Sequence, residues 1–163
     1  MKKLLLSAAM VAFGATGAFA QDVVRLGTEG AYPPYNYINE ANELVGFEID
    51  LGNALCERAG LTCEWVQNDW DSIIPNLVGG NYDAIMAGMN ATPARAEVIM
   101  FSQPYKLPDP SAYMALAGTD GSVMEEGVIA AQSNTMQAAM VSDTSATLIE
   151  FPTADETIAA VRN

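Results

Sequence analysis

The chain has 163 residues, of which 20 are acidic, seven are basic and none is histidine, so its formal net charge is −13. This charge argues against nucleic acid or an anionic membrane surface as a partner, because both repel an acidic protein. With no histidine and only two cysteines, a zinc site and a Ser-His or Cys-His catalytic set are excluded. We therefore expect neither a metal nor a cofactor.

The first twenty residues have the three-part pattern of a secretory signal peptide. Lys2 and Lys3 precede an apolar run from Leu4 to about Phe13, and small residues lead to a cleavage position after Ala20. The alternatives are a membrane anchor or a buried helix, but the apolar run is too short to span a bilayer. Cleavage would leave five basic residues against 20 acidic ones, a net charge of −15. We expect an exported protein without stable membrane insertion.

The first half of the chain alternates short apolar runs with helical stretches, which is typical of α/β organisation. The sequence predicts strands at 23–28, 62–66 and 82–88, the last one buried. It predicts helices at 47–60, 71–80 and from 92 onward, with Asp71 as the cap of the second. Prolines exclude a helix at 30–38, and residues 39–46 are typical of a hairpin turn.

The second half follows a proline-bearing crossover at 106–111. There the pattern predicts strands at 112–118, 127–133 and 146–151 and helices at 135–142 and 153–163. The crossover is the expected domain boundary, with one lobe at residues 21–108 and a second, partial lobe at 109–163. The second half looks too small to complete a domain. We therefore expect a fragment that folds weakly alone, with exposed sheet edges and apolar patches.

The two cysteines, Cys56 and Cys63, lie on either side of the predicted turn at Gly60. An exported compartment favours a disulfide over two free thiols. Gly60 lets the chain fold back so that the two sulfurs can meet. Such a bridge would close a small loop and stabilise the fold by about 2–3 kcal/mol.

The segment GMNATPAR, residues 88–95, places a cation in an unusual position. Thr92 and Pro93 are typical of a helix N-cap and first helical residue, so Arg95 falls in the first turn, where the helix dipole disfavours a positive charge. A surface arginine gains nothing there, whereas a guanidinium that binds a ligand can hold a carboxylate with two parallel hydrogen bonds. The preceding strand delivers Gly88 and Asn90 to the same place, beyond the carboxyl end of a strand, where open α/β sheets bind ligands.

Three other residues follow the carboxyl ends of the first two predicted strands. Tyr32 and Trp70 can enclose a flat or aliphatic side chain or a cation, and Glu29 can pair with a cationic group. Taken singly, each aromatic residue is better explained by core packing, and Glu29 by a solvated loop charge. Their interpretation as binding residues depends on their lying together at one edge of the sheet.

The chain from about Val24 to Tyr105 closely resembles the first lobe of the family 3 extracellular solute-binding proteins, the periplasmic amino-acid receptors of ABC importers. The resemblance rests on five features that occur in the family's order: GFEIDL, the cysteine pair, WDSIIPNL, YDAIMAGM and TPAR. Within the family, the most similar members are those that bind lysine/arginine/ornithine, histidine or octopine. From Ser111 to Asn163 it rests on QSNTMQ and the strand–helix tail. The resemblance implies an α/β fold of the type II periplasmic-binding-protein class with two lobes, a bridged cysteine pair and a periplasmic location.

The resemblance also implies a role for each of ten residues. The arginine that matches Arg95 holds the ligand's α-carboxylate, and the second-lobe loop at 135–137 caps it. Oxygens at positions 87, 88 and 90 accept hydrogen bonds from the ligand's α-ammonium group. Two aromatic rings stack on the ligand's side chain, and an acidic residue pairs with the basic end of that side chain. The implied set is Glu29, Tyr32, Trp70, Ala87, Gly88, Asn90, Arg95, Thr135, Met136 and Gln137.

Four of the matched positions depart from the family pattern. Asn90 stands where a serine or threonine is usual, and Ala87 where the basic-amino-acid binders often have serine. In the second-lobe loop, Asn134 replaces a glycine and Met136 replaces a hydroxyl residue. Contacts at these positions are therefore expected to come from the backbone or from an amide.

We predict a monomeric exported receptor, not an enzyme, that captures a polar or basic amino acid or an opine-like derivative. It would close about the 104–111 crossover and deliver the ligand to the permease subunits of an ABC transporter. One alternative is a periplasmic cyclohexadienyl (arogenate/prephenate) dehydratase on the same fold, although no general acid–base pair is evident. Another is the sensor domain of a receptor, which would need a transmembrane segment.

Overall fold

The computed structural model describes residues 23–107 and 109–162, and the predicted signal peptide at 1–20 lies outside them. We call these two ranges the first half and the second half. In chain order the elements are β1 (Val23–Thr28), β2 (Ala31–Tyr32), β3 (Asn36–Ile38), β4 (Leu44–Val45), α1 (Phe47–Ala59), β5 (Thr62–Gln67), α2 (Trp70–Val78), β6 (Ala84–Ile85), α3 (Pro93–Ala96), α4 (Val123–Glu126), β7 (Val128–Gln132), α5 (Met136–Ser142), β8 (Thr147–Phe151) and α6 (Ala154–Arg162).

A three-stranded parallel sheet organises the first half, with β1 between β5 and β6. The β1–β5 register runs from Val23 opposite Thr62 to Thr28 opposite Gln67. Helices α1 and α2 make the crossovers that parallel neighbours require. The strand predicted at 82–88 is present but contributes only the two residues of β6, which are half-buried. All three carboxyl ends lie at one edge of the sheet.

The hairpin predicted between the first strand and the first helix is also present. β2, β3 and β4 form a small antiparallel sheet, and no helix interrupts residues 30–38. Asn42 lies in the turn with a φ of 61°, and its N–H donates to the carbonyl of Asn39 at 2.9 Å. Asparagine tolerates this left-handed conformation better than most side chains.

Helix α1 ends where the sequence predicts. Gly60 has a φ of 68° and its N–H donates to the carbonyls of Cys56 and Glu57, closing the last turn. The chain then reverses into β5, and a disulfide joins Cys56 to Cys63, with the two Cα atoms 6.2 Å apart. The predicted bridge is confirmed, and it fixes the C-terminal end of α1 to the first sheet.

The predicted cap of α2 is wrong. The N-cap residue is Asp69, and Asp71 lies in the first turn. The Asp71 carboxylate does not reach back to the helix N–H groups because it accepts hydrogen bonds from Ser133 and Asn134 of the second half. An acidic residue in the first turn still interacts favourably with the helix dipole.

The core of the first half lies between α2 and the end of β6. Ile73, Tyr82 and Ala87 are each at most 3% exposed and pack together. The Tyr82 hydroxyl donates to the carbonyl of Ile73. A Cβ at Gly27 would lie 2.6 Å from the Tyr82 ring, so the sheet and the ring can approach only because residue 27 is glycine. This packing sets the position of the loop that follows Ala87.

The second half is built on two parallel strands, β7 and β8, with α5 and α6 packed against them. The strand predicted at 112–118 is wrong, because in the described ranges no strand pairs with that segment. Its large side chains, such as Tyr113 and Leu116, are 48% and 60% exposed. The short helix α4 was not predicted. No helix in 23–107 or 109–162 has both the length and the apolar character to cross a bilayer.

Candidate functional site

A cleft of about 970 Å³ lies between the two halves, and all ten residues that the sequence singled out line it. The first-half members come from the loops after β1 and β6, the β2 strand and the starts of α2 and α3. The remaining three lie at the start of α5. Parallel strands explain this convergence, because their carboxyl ends point to the same edge. That these residues bind a ligand stays a prediction.

Arg95 is held at the cleft by its own loop and by the second half. Thr92 caps α3 through its Oγ1, which accepts from the backbone N–H of Arg95 at 3.2 Å. The guanidinium donates from Nη1 to the carbonyl of Asn90 at 2.9 Å and from Nη2 to the carbonyl of Asn134 at 2.8 Å. Its Cζ lies 5.3 Å from the centre of the Trp70 ring. The sequence-based placement of Arg95 in a capped first turn is confirmed.

Within residues 23–107 and 109–162, no acidic side chain forms an ion pair with Arg95. In the part of the chain that the structure describes, the ion pairs join Arg25 to Asp83 and Lys106 to Asp109. Half-burial lowers the pKa of the Arg95 guanidinium, because burial disfavours the charged form. Two of its five N–H groups donate to the carbonyls of Asn90 and Asn134, which leaves three for an incoming carboxylate.

Glu29 is a buried acid, 7% exposed, in the loop after β1. Its Oε1 accepts from Gln132 Nε2 of the second half at 2.6 Å. Burial raises the pKa of Glu29, the Gln132 hydrogen bond opposes that shift, and the nearby charges of Asp71 and Asp69 add to it. Gln132 lines the same cleft but was not among the predicted site residues, although it opens the QSNTMQ segment that was singled out.

The two predicted aromatic residues each have a partner within the protein. The Tyr32 ring stacks on Tyr35, with centroids 5.1 Å apart and planes at 26°. Trp70 lies against the Arg95 guanidinium, and its Nε1 donates to the carbonyl of Asn134 at 3.4 Å. Tyr32 remains 40% exposed, so its ring keeps apolar surface available to a ligand side chain.

A buried polar network, which the sequence did not reveal, supports these loops. Glu48 at the start of α1 is completely buried. Its Oε2 accepts from Asn36 Nδ2 at 2.6 Å, while its Oε1 accepts from the Gly88 N–H at 2.6 Å and from the Tyr105 hydroxyl. Asn36 in turn accepts from the Gly30 N–H at 2.8 Å. One carboxylate thus fixes the loops after β1 and β6 and the chain entering the crossover.

The loop between β7 and α5 contacts the first half through Ser133 and Asn134. The Ser133 hydroxyl and the Asn134 amide both donate to Asp71 Oδ1, each at 2.7 Å. Asp71 was not a predicted site residue, because a carboxylate at the start of a helix is explained by local helix capping. Its side chain instead joins the two halves.

Two of the three predicted residues at 135–137, Thr135 and Gln137, have side chains that hydrogen-bond within the second half. Thr135 caps α5, since its Oγ1 accepts from the Ala138 N–H at 3.1 Å and donates to the Gln132 carbonyl at 2.6 Å. Gln137 donates from Nε2 to Ser111 Oγ of the crossover at 2.8 Å.

Among the residues described, no cluster of three or more histidine, cysteine or acidic side chains is placed to hold a metal ion.

Comparison with known proteins gives consistent matches. The family model for bacterial extracellular solute-binding proteins, family 3, matches residues 24–160. The octopine-binding periplasmic protein of Rhizobium meliloti is 46% identical over 103 residues, which are 63% of this chain and 35% of that protein. ABC transporter arginine-binding protein 1 of Escherichia coli (strain K12) is 41% identical over 105 residues, 64% of this chain and 43% of that protein. The chain thus spans less than half the length of these relatives.

One solved structure extends the similarity into the second half. A periplasmic His/Glu/Gln/Arg/opine family-binding protein from Silicibacter pomeroyi, crystallised in complex with lysine, is 61% identical to this chain with a TM-score of 0.81. The match covers 86% of this chain and 63% of that one. The similarity therefore includes both halves and the cleft between them.

Proposed function

Since the chain belongs to family 3 of the bacterial extracellular solute-binding proteins, we propose that its cleft binds an amino acid with a basic or polar side chain. The fold is of the type II periplasmic-binding-protein class. The observation that carries the proposal is Arg95, a half-buried cation without an acidic partner among the described residues and with N–H groups left for a carboxylate. Its guanidinium would bind the α-carboxylate in a bidentate manner.

The rest of the zwitterion has complementary groups in the same cleft. The α-ammonium would be met by oxygens of Ala87, Gly88 and Asn90, at the carboxyl end of β6. The ligand side chain would lie along Tyr32 toward Glu29, whose buried carboxylate would pair with a guanidinium or ammonium end. The names of the relatives support this choice, since they bind octopine or arginine and the similar crystal structure contains lysine.

In the complete protein, the two halves would act as lobes at 21–108 and 109–163 that close on the ligand. Contacts to both lobes would stabilise the closed state, because a ligand shifts a conformational equilibrium only through its differential affinity for the two states. We propose that the protein is exported through the signal peptide at 1–20 and works in the periplasm as a monomer. It would bind without catalysis and deliver the ligand to the permease subunits of an ABC transporter.

Calorimetry with the purified complete protein, called the full chain below, tests the proposal. We expect L-arginine, L-lysine or octopine to bind at micromolar concentration or tighter, about −8 kcal/mol or better, and L-glutamate to bind far more weakly because Glu29 repels its side chain. Failure of every standard amino acid and of octopine to bind would refute the proposal. Turnover of prephenate or arogenate by the same sample would support the dehydratase alternative instead.

The raised pKa of Glu29 predicts a pH-dependent affinity for cationic side chains. Lowering the pH from about 7 to about 5 brings the solution closer to the raised pKa of this buried carboxyl, so a larger fraction of Glu29 is protonated and neutral. Arginine binding should weaken over this range, whereas L-glutamine binding should change less. Calorimetry at each pH measures both. In Glu29→Gln the difference between the two ligands' pH profiles should disappear, and its persistence would contradict the assignment.

A further inference from the structure

The two halves contact each other at the cleft through three consecutive residues, Gln132, Ser133 and Asn134. We propose that Asn134 is a clasp that holds the cleft closed before a ligand arrives and positions Arg95 to receive it. The inference rests on the proposed function for the identity of the ligand, but the clasp itself consists of contacts that need no ligand. Asn134 is a positioning residue, since it acts on the ligand through Arg95.

The Asn134 side chain forms the first arm of the clasp. Its Nδ2 donates to Asp71 Oδ1 at 2.7 Å, and the Ser133 hydroxyl donates to the same oxygen at 2.7 Å. Hydrogen bonds to a carboxylate are stronger than those between neutral groups. Asp71 belongs to α2 of the first half, so the two donors join the loop after β7 to a rigid helix across the cleft.

The Asn134 backbone forms the second arm. Its carbonyl accepts from Arg95 Nη2 at 2.8 Å and from Trp70 Nε1 at 3.4 Å. A second carbonyl, that of Asn90, accepts from Nη1. These two acceptors fix both ends of the guanidinium fork, so its plane is set before a carboxylate binds and less side-chain freedom is lost on binding.

The backbone conformation of Asn134 links the two arms. Its φ is 54°, a left-handed conformation that a side chain disfavours and that glycine adopts freely. Asparagine adopts this conformation more readily than most side chains, but at a steric disadvantage relative to glycine. The amide contact to Asp71 compensates for that disadvantage, and the same backbone geometry turns the carbonyl toward Arg95 and Trp70.

The clasp affects affinity through the closed population. If binding requires the closed form, the apparent dissociation constant equals the intrinsic one divided by the closed fraction. Loss of the side-chain arm lowers that fraction and removes no group that touches the ligand. Affinity should then fall by about three- to tenfold, mainly through faster dissociation.

Four variants of the full chain isolate the clasp. Asn134→Gly removes the amide but keeps the carbonyl and suits the φ, Asp71→Ala removes the shared acceptor, and the third variant combines both. The matched control is Asn42→Gly, at the other non-glycine residue with positive φ among those described, in the β3–β4 turn. X-ray scattering from ligand-free protein measures the radius of gyration, and calorimetry and stopped flow with L-arginine measure affinity and dissociation.

We expect the ligand-free radius to increase in both single variants, and more in Asp71→Ala, because that change removes the acceptor of both the Asn134 amide and the Ser133 hydroxyl. The double variant should show no increase beyond that of Asp71→Ala. The affinity for L-arginine should fall about threefold in Asn134→Gly and about fivefold in Asp71→Ala, and the loss in the double variant should equal that in Asp71→Ala. The control should match the wild type. Three results would refute the proposed clasp. They are affinity losses that add strictly in the double variant, an unchanged radius of gyration in Asn134→Gly, and the same changes in radius and affinity in Asn42→Gly. If the wild type binds no amino acid, the proposed function fails, and the scattering result still decides the clasp.

Discussion

Replacing Arg95 with alanine is expected to reduce amino-acid affinity by more than about 100-fold, close to 3 kcal/mol. The guanidinium is half-buried, so a carboxylate bound beside it loses water and receives nothing in exchange when the cation is removed. Removing the side chain also takes the guanidinium donor away from the Asn90 carbonyl and leaves the Asn134 carbonyl with the longer contact from Trp70. Calorimetric titration of the full chain with L-arginine and L-lysine measures the loss.

Two further variants separate charge from geometry. Arg95→Lys keeps a cation but replaces the planar fork with a point charge, which cannot reproduce paired parallel hydrogen bonds. We expect an intermediate loss of affinity from it. Arg58→Ala removes an equal charge from the exposed end of α1, away from the cleft, and should leave binding unchanged. Near-wild-type affinity in Arg95→Ala would show that the carboxylate binds elsewhere.

The elements that local patterns specify were predicted well. Gly60 ends α1 and Thr92 caps α3, because a glycine stop or a side-chain cap depends on neighbouring residues alone. The disulfide and the α/β class were correct for the same reason: a turn brings Cys56 to Cys63, and alternating elements favour a parallel sheet. Resemblance to a family supplied the type of fold.

The errors occurred where distant residues decide the outcome. Residues 112–118 have the composition of a strand, but a strand exists only when another chain segment pairs with it, and the described residues supply none. Asp71 was assigned to helix capping because its position relative to α2 suggested it. The donors that its carboxylate accepts from lie 62 and 63 positions further along the chain, a contact that local patterns do not indicate.

The site shows the same division between local and distant information. Arg95 was identified from one short segment. The loops that line the cleft were predicted because they follow the carboxyl ends of the predicted strands. Gln132, Asp71 and Glu48 were missed because each is defined by a partner in another element. Glu48 lies between Phe47 and Ile49 in what the sequence presents as an apolar helix stripe. Only the folded chain shows that Glu48 connects loops.

Replacing Glu48 with alanine is expected to lower the free energy of unfolding of the full chain by about 3–4 kcal/mol. The substitution leaves the buried Asn36 amide and the partly buried Gly88 N–H and Tyr105 hydroxyl without their shared acceptor. Burial and the contact with Glu48 raise the pKa of Tyr105 above its ordinary value, so the hydroxyl stays protonated and remains a donor. Denaturant unfolding followed by tryptophan fluorescence measures the change.

The isosteric change Glu48→Gln gives the sharper test of the network. An amide has one oxygen and one NH₂ group, so one end of the side chain must meet a donor. If the NH₂ group of the new glutamine faces Asn36, two donors oppose each other, because the Gly30 N–H fixes the Asn36 amide with its own NH₂ group toward residue 48. In the opposite orientation, the glutamine NH₂ group faces a different donor, the Gly88 N–H. We expect the free energy of unfolding to fall by about 1–3 kcal/mol.

Glu57→Ala, on the exposed end of the same helix, is the control and should change the free energy of unfolding by less than about 0.5 kcal/mol. Equal losses in Glu48→Gln and Glu57→Ala would mean that the network contributes nothing specific, whereas a large loss in Glu48→Gln with weakened ligand binding would tie the Gly88 loop to this single carboxylate.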